Sequence, residues 1–351
     1  MVNEILKLSG TKSNTDNEVY SPDADPDGIS FLVWDKQSIR ASGISKHIGA
    51  SLHCIFTSPI KHPVLFLKTL QILRKEKPKI IICQSPTITC PFMALMYKYL
   101  FAGKPKPKIL IDAHTGAISR PGSKIVSKQI MKRASFIIVI NKEQQDYLTQ
   151  NYKVTPVVLE DPIPDFSDLL ESGWTKPEEH KIKREPISNI AVISSFADDE
   201  PLEEMFEAAS ALPTMTFYVT GDEKHANKTL LEKKSKNIII TGFLDYISYI
   251  HLLQKVDVIM DLTTDKTSII AGGFEAVALE KPLITSNWNP LKRYFYKGTV
   301  YADNTSTNIK DAIIKSLARK EDLSKEMRLL KIEKDKEWKD KISRLSYIFE
   351  K

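Results

Sequence analysis

The segment DLTTDKTSIIAGGFEAVALEKPLITSN, residues 261–287, places hydroxyl, glycine and carboxylate residues in an order suited to a phosphate-bearing ligand. An apolar run predicted as a strand ends at Asp261, and a helix is predicted to begin near Gly272 and Gly273. Free N–H groups and the positive dipole end favour an anion at such a helix start, and glycine lets a diphosphate approach the backbone. The hydroxyl donors of the intervening loop are Thr263, Thr264, Thr267 and Ser268.

Glu275 lies in the first turn of that predicted helix. Its carboxylate could accept two hydrogen bonds from a ribose diol, as an acidic residue does in dinucleotide-binding folds. An ordinary loop followed by a helix with an acidic first turn explains the same residues without any ligand. No Gly-x-Gly-x-x-Gly pattern follows a predicted strand, which disfavours a dinucleotide oxidoreductase.

A second group of polar residues comes directly after an apolar run in LIDAHTG, where Asp112, His114 and Thr115 stand together. His114 could hydrogen-bond a transferred group or assist proton transfer. A purely structural histidine is the alternative.

These residues need a scaffold, and the chain alternates short apolar runs with helical patterns. Continuous Ile, Val and Leu runs are typical of parallel strands covered on both faces, and strand–helix alternation is typical of doubly wound sheets. We therefore predict an α/β protein of two Rossmann-like lobes with a ligand cleft between the carboxyl ends of their strands. The predicted strands are 29–35, 52–58, 79–85, 108–114, 135–141, 155–161, 189–195, 215–222, 236–243, 256–263, 281–287 and 298–303.

The predicted domains follow from where this alternation stops. Residues 1–28 are a polar lead-in, 29–180 form the first lobe and 186–320 the second, because prolines and charges replace the periodicity over 162–187. Residues 321–351 form a charged helix, and Trp338 on its sparse apolar stripe is expected to anchor it against another surface. A coiled coil or a free tail is the alternative.

Charge is unevenly divided along the 351 residues. Residues 31–160 hold 20 Lys and Arg against 6 Asp and Glu, a net +14, whereas the whole chain is +6. Such a lobe attracts phosphates, nucleic acid or an anionic membrane surface, although lysines that merely aid solubility explain it too. Three unclustered cysteines, no signal-like start and no membrane-spanning apolar run predict a cytoplasmic protein.

The segment FEAVALEKPLIT, residues 274–285, resembles the signature of family-4 type glycosyltransferases of the GT-B fold. In that family the glutamate matched by Glu275 holds the donor ribose. The family's earlier glutamate, which contacts the donor sugar, is replaced here by Thr267, so the chain resembles a variant subgroup. The backbone amides from Thr263 to Phe274 are accordingly expected to bind the donor diphosphate.

Residues 237–264 resemble the same family in a strand, a Gly-Phe pair and a following helix. The resemblance implies that Gly242 and Phe243 contact the nucleobase, although core packing explains Phe243 equally well. The family's Arg and Lys after the first strand of the second lobe are missing, because Ser194, Ser195 and Phe196 occupy that loop. The charge of the diphosphate would then have to be compensated by helix ends and hydroxyls, with Lys266 or Arg40 as outside candidates.

The function implied is transfer of a sugar from a nucleotide-diphosphate donor to a hydroxyl acceptor. No cofactor is expected besides the co-substrate, and no metal, since no Asp-x-Asp follows a strand. A lipid-linked or cell-surface glycan is the expected acceptor, with peripheral contact to an anionic membrane through the basic lobe and the helix of residues 91–103. Core burial is the alternative for that helix. A non-catalytic nucleotide-sugar-binding subunit is the alternative, and nucleic-acid binding rests on charge alone.

Overall fold

The computed structural model describes residues 28–35, 38–55, 62–85, 88–113, 124–167, 169, 188–232 and 234–350. The chain divides into two compact units. The first unit runs up to Pro162 and takes in the chain again from Lys336, and the second holds Ile163–Asp335.

The first unit is built on a six-stranded parallel sheet in the order β2-β1-β3-β4-β5-β6. Its strands are β1 Ile29–Val33, β2 Ser51–Cys54, β3 Ile80–Ser85, β4 Lys108–Ala113, β5 Phe136–Val139 and β6 Val157–Val158. Its helices are α1 Ile39–Ile48, α2 His62–Glu76, α3 Thr89–Met96 with a π-turn over Tyr97–Phe101, α4 Lys124–Met131 and α5 Lys142–Tyr152. The Ser38 and Asn141 side chains cap α1 and α5 by accepting hydrogen bonds from N–H groups of the first turn.

The second unit repeats the design with the strand order β12-β11-β10-β7-β8-β9, again all parallel. Its strands are β7 Asn189–Val192, β8 Thr216–Val219, β9 Ile238–Ile240, β10 Val258–Asp261, β11 Leu283–Ser286 and β12 Thr299–Ala302. Its helices are α6 Leu202–Ser210, α7 Lys228–Glu232, α8 Tyr246–Lys255, α9 Ala271–Ala278, α10 Asn289–Tyr294, α11 Ser306–Ala318 and α12 Lys320–Glu350.

Each sheet is buried on both faces, which explains the uninterrupted apolar runs. In β1, Leu32 packs into the cluster on one face, while Phe31 and Val33 pack into the cluster on the other. The two faces of the second sheet likewise carry separate clusters, for example around Val192 and around Ala191. This arrangement confirms the α/β, doubly wound fold class.

The C-terminal helix α12 contributes to the cores of both units. Leu323 and Met327 are buried in the second unit, whereas Ile342 and Leu345 are buried in the first. Trp338 packs at the same first-unit cluster and donates its indole N–H to the carbonyl of Glu160 at 3.1 Å.

Three details differ from the sequence predictions. The units change at Pro162–Ile163, earlier than residue 180, because Phe166 and Leu169 pack against Ile247 and Ile250 of the second unit. Eleven of the twelve strands stop one to four residues before the predicted ends, whereas β3 ends at Ser85 as predicted. Two short helices, α7 and α10, were not predicted, because each is under two turns long and carries little periodicity.

None of the helices in the described parts of the chain is long and apolar enough to cross a membrane. Cys54, Cys83 and Cys90 are free. Over the same described residues, no three His, Cys, Asp or Glu side chains come together as metal ligands.

Candidate nucleotide site of the second unit

The loops after β7 and β10 meet at the carboxyl edge of the second sheet. These strands are neighbours, but the chain leaves them in opposite directions, towards β8 and towards β11. Open α/β sheets bind ligands at such a switch point. Here the Thr263 hydroxyl donates to the Asp199 carboxylate at 3.0 Å, and the Thr264 N–H donates to the Asp199 carbonyl at 2.6 Å.

Thr263 anchors the start of the 263–268 loop. Its buried carbonyl accepts hydrogen bonds from the Trp288 indole and the Asn304 amide, both at 2.8 Å. Its N–H donates to the Ser286 hydroxyl at 2.9 Å. The loop is therefore positioned by contacts from the segments that follow β11 and β12.

Asp265 holds the exposed part of this loop. Its carboxylate accepts the Thr267 N–H at 2.8 Å and the Thr267 hydroxyl at 2.7 Å, and it also accepts the Ser268 hydroxyl. Burial alone would raise the pKa of Asp265, but these hydrogen bonds outweigh burial and hold its pKa below the ordinary value. Two of the four hydroxyls predicted as ligand donors, those of Thr267 and Ser268, are thus engaged with Asp265.

Lys266 projects from the same loop, with its Nζ 5.1 Å from the centre of the Trp288 ring. This distance is within the range of a cation–π contact. Lys266 itself is exposed, so it presents a positive charge beside the hydroxyl-rich loop.

The first residues of α9 are packed more tightly than the sequence suggested. The Gly272 N–H donates to the Asp261 carboxylate at 2.9 Å. A Cβ on Gly272 would lie 2.5 Å from that carboxylate, and one on Gly273 would lie 2.3 Å from the Phe295 ring. Phe274 is buried against Tyr294 and Phe295. The space beside these glycines is therefore filled by neighbouring side chains of the protein itself. That they let a diphosphate approach the backbone stays a prediction.

Glu275 is one of two buried carboxylates of this site, with only 8% of its surface exposed. It lies beyond the first turn of α9, not within it as predicted, because the helix begins at Ala271. The Tyr249 hydroxyl donates a short hydrogen bond to it. Burial raises the pKa of Glu275 to about 7, even though the Tyr249 bond acts in the opposite direction. The pKa of Asp261 is also raised, first by burial and then by the charge of Glu275.

The loop after β7 encloses a carboxylate of its own. Glu200 accepts hydrogen bonds from the N–H groups of Ser195 at 2.9 Å and Phe196 at 3.2 Å. It also accepts the hydroxyls of Ser194 at 2.5 Å and Ser195 at 2.8 Å. Phe196 has a φ of +59°, and this turn points successive N–H groups at one centre, as in anion-binding nests.

Gly221 and Gly242, after β8 and β9, form an isolated bridge with each other at the same edge. Gly221, with a φ of +101°, has no room for a side chain, since a Cβ would lie 2.6 Å from the Ser194 carbonyl oxygen. Phe243 is 82% exposed. Core packing therefore does not explain Phe243, and its ring is accessible to a planar ligand.

Three residues singled out in the sequence lie elsewhere or outside the described chain. Arg40 belongs to the first unit, where its guanidinium binds Asp112 at 2.6 Å and Asp161 at 2.9 Å and is almost wholly buried. Because its charge is paired with these two carboxylates, Arg40 does not serve as a cation for the donor, contrary to the suggestion from the sequence. His114 and Thr115 lie outside the described residues.

The structure thus gathers Thr263, Thr264, Lys266, Thr267 and Ser268 in one loop, next to the start of α9. Sequence reasoning missed Tyr249, Asp199 and Glu200. A tyrosine in a helix gives no signal until its partner is known. The acidic run 198–200, however, was visible directly after the loop that lacks the family's cations.

No protein-family profile and no curated protein sequence matches this chain. Solved structures do. A glycosyltransferase from Rickettsia africae is 16% identical, over 92% of this chain and 98% of its own, with a TM-score of 0.70. Sucrose-phosphate synthase from Thermosynechococcus elongatus is 12% identical over 92% and 98%, with a TM-score of 0.68. Anabaena HepE in complex with UDP and glucose is 13% identical over 90% and 99%, with a TM-score of 0.67. At such identities the likeness establishes the architecture, and this chain therefore has the GT-B fold.

Proposed function

We propose that this protein is a glycosyltransferase that moves a sugar from a nucleoside-diphosphate donor to a hydroxyl acceptor. The observation that carries the proposal is the buried Glu275 carboxylate in α9, the helix that follows the 263–268 loop at the switch point of the second sheet. The likeness to HepE, which was solved with UDP and glucose, supports the same ligand class.

Donor binding would use the buried Glu275 carboxylate and the loop that carries Lys266. The pentose hydroxyls would donate to Glu275, which Tyr249 holds in place. The diphosphate would lie on residues 264–268, where Thr264, Lys266 and Thr267 are exposed and Lys266 supplies a positive charge. Phe243 and Gly242 would contact the base, because the exposed ring can stack on any base.

In the reaction, the acceptor hydroxyl attacks the anomeric carbon as the bond to the diphosphate breaks. The transition state resembles an oxocarbenium ion. Charge that develops on the leaving diphosphate would be stabilised by Lys266. The N–H groups of Thr264, Thr267 and Gly272 already donate to oxygens of the protein itself. His114, outside the described residues, remains the predicted proton acceptor. We assign no metal and no cofactor beyond the donor itself.

The acceptor side belongs to the first unit, whose net charge of +14 over residues 31–160 favours anionic surroundings. We propose a hydroxyl of a lipid-linked or cell-surface glycan as the acceptor. The enzyme would work on the cytoplasmic side, in peripheral contact with an anionic membrane.

A non-catalytic subunit that binds a nucleotide sugar is the second candidate. It is favoured by one observation: the loop 194–196 holds no cation, and the Glu200 carboxylate occupies its N–H groups. An internal carboxylate there opposes binding of the donor phosphate in the same place.

A thermal-shift screen with UDP, ADP and GDP tests binding, because a ligand at about 100 times its Kd stabilises the folded state by about 2.7 kcal/mol. Donor hydrolysis and transfer are then measured for the wild type, Glu275→Ala, Lys266→Gln and a Glu203→Ala control. We expect Glu275→Ala to abolish the shift and Lys266→Gln to slow turnover about 100-fold. The exposed Glu203 should be neutral.

Each outcome separates the candidates. A nucleotide shift that is lost in Glu275→Ala, without hydrolysis or transfer of any donor, would favour the binding subunit. The absence of a shift with every nucleotide would contradict both candidates.

A further inference from the structure

A cavity of about 890 Å³ opens at the amino-terminal edge of the first sheet. It is lined by Ile29, Ile80 and Lys108, the first residues of β1, β3 and β4, together with the end of α2 and residues 101–108. Ligands of parallel sheets bind at the opposite, carboxyl edge. The cavity is therefore separate from any acceptor site of this unit.

The lining of this cavity is strongly basic. Its six cations are Arg74, Lys77, Lys79, Lys104, Lys106 and Lys108. Within the described chain, the lining includes no aspartate or glutamate. Like charges in one concave site repel each other and concentrate the field on incoming anions, so an anion would relieve the repulsion.

Local contacts explain only part of this charge. The Lys106 ammonium donates to the Ala102 carbonyl at 2.8 Å, and the Arg74 guanidinium lies 4.7 Å from the centre of the Phe101 ring. Lys77, Lys79 and Lys104 are exposed, and no described carboxylate lies within ion-pair distance of them. Because these unpaired cations surround one cavity, we expect an anionic ligand to bind there.

Exposed apolar side chains lie in the lining of the cavity and directly before it in the chain. Phe101 lines it and is half exposed, and the preceding Tyr99 and Leu100 are more exposed still, Leu100 to 66%. We attribute the exposure of these three residues to the π-turn over Tyr97–Phe101. The extra residue in that turn rotates the following side chains away from the direction in which earlier residues, such as Met93, face the core. A small soluble anion would gain nothing from these side chains, whereas a membrane interface accepts aromatic and basic groups together.

We propose that this basic docking surface, made of the six cations with Tyr99, Leu100 and Phe101, binds an anionic phospholipid membrane. Lipid phosphates would occupy the cavity, and the three apolar side chains would enter the boundary between headgroups and acyl chains. The inference rests on the proposed function, because it names the surface through which the transferase would contact its membrane. It also predicts binding that is independent of the nucleotide.

The test is sedimentation of the full chain with vesicles of phosphatidylcholine alone and of phosphatidylcholine with phosphatidylglycerol. We expect binding to the mixed vesicles only, decreasing with salt. The double variant Lys104→Gln with Lys106→Gln should bind about 30-fold more weakly, at about fivefold per lysine. The matched control is Lys228→Gln with Lys236→Gln, which removes two exposed charges from the second unit and should keep binding near that of the wild type.

A second pair tests the apolar part. Leu100→Ser should weaken vesicle binding, whereas Leu329→Ser, at an exposed position of α12, should not. Equal binding to both vesicle types, or equal loss in the site and control variants, would overturn the proposal. So would thermal stabilisation by inorganic phosphate without vesicle binding.

UDP affinity is measured for every variant and should stay at the wild-type value, because the cavity and the nucleotide site lie in different units. If the wild type binds vesicles but no nucleotide, the docking surface stands and the transferase assignment fails. If the wild type binds UDP but no anionic vesicle, the transferase assignment stands and the docking surface fails.

Discussion

The carboxylate of Glu200 accepts the backbone N–H of Phe196 at 3.2 Å, in a turn where Phe196 has a φ of +59°. This carboxylate occupies N–H groups that could otherwise bind a phosphate of the proposed donor. In the family that the sequence resembles, the same loop carries cations. Glu200 is therefore expected to limit nucleotide affinity at this position.

Replacing Glu200 by Gln should strengthen UDP binding roughly tenfold, because one negative charge near the phosphates is removed. Calorimetry of UDP binding measures the effect. Glu203→Gln is the control, since it removes an exposed charge from the first turn of α6. An unchanged or weaker affinity in Glu200→Gln would mean that this carboxylate only supports the loop.

The raised pKa of Glu275 should make stability depend on pH. The folded pKa of about 7 exceeds the ordinary 4.5, so between these values the folded state holds a proton that the unfolded state has lost. The free energy of unfolding should therefore fall as pH rises through this window, by roughly 3 kcal/mol from this group. The Glu275→Gln variant lacks this contribution. The pKa of Asp261 is raised too, so Asp261 also lowers the free energy of unfolding as pH rises, in the wild type and in the variant.

Urea unfolding at several pH values between 5 and 8 checks this prediction. As pH rises across this range, we expect the free energy of unfolding of Glu275→Gln to increase relative to that of the wild type by about 2–3 kcal/mol. Parallel pH profiles would contradict the assigned pKa.

The Arg40–Asp112 ion pair should be essential to the first unit. Both side chains are almost wholly buried, and removing one partner leaves an uncompensated charge. Arg40→Leu should lower the free energy of unfolding by about 3–5 kcal/mol, and adding Asp112→Leu should recover part of the loss. Denaturant unfolding measures both.

The control for that pair is Arg319→Leu, which breaks the exposed ion pair with Glu326. Its cost should stay at or below about 1 kcal/mol. If Arg40→Leu costs no more than this, the buried pair does not stabilise the fold.

Gly273→Ala should destabilise the second unit by about 1–3 kcal/mol, because the new Cβ would lie 2.3 Å from the Phe295 ring. Phe295→Leu in the same chain should relieve part of this strain, which a double-mutant cycle measures. Gly103→Ala is the matched control, since nothing lies within 4 Å of its Cβ position. Unchanged stability with weakened UDP binding would instead indicate that Gly273 serves the approach of a ligand.

Periodicity and apolar runs predicted all twelve strands and most of the helices. The β1 run is apolar at every residue except Ser30 because both faces of a parallel sheet are covered, and this property is local in sequence. The Gly-Phe pair and the 261–287 segment also indicated the GT-B fold, since their order along the chain is itself the signal.

Which side chains meet was decided only by the tertiary structure. Tyr249 reaches Glu275, and Asp199 reaches Thr263, because parallel strands distant in sequence end at one sheet edge. The same folding engages Thr267 and Ser268 with Asp265 and buries Arg40 between two carboxylates. Sequence determines which residues carry donors, acceptors and charges, but a hydrogen bond depends on distance, and distances between strands are set by packing.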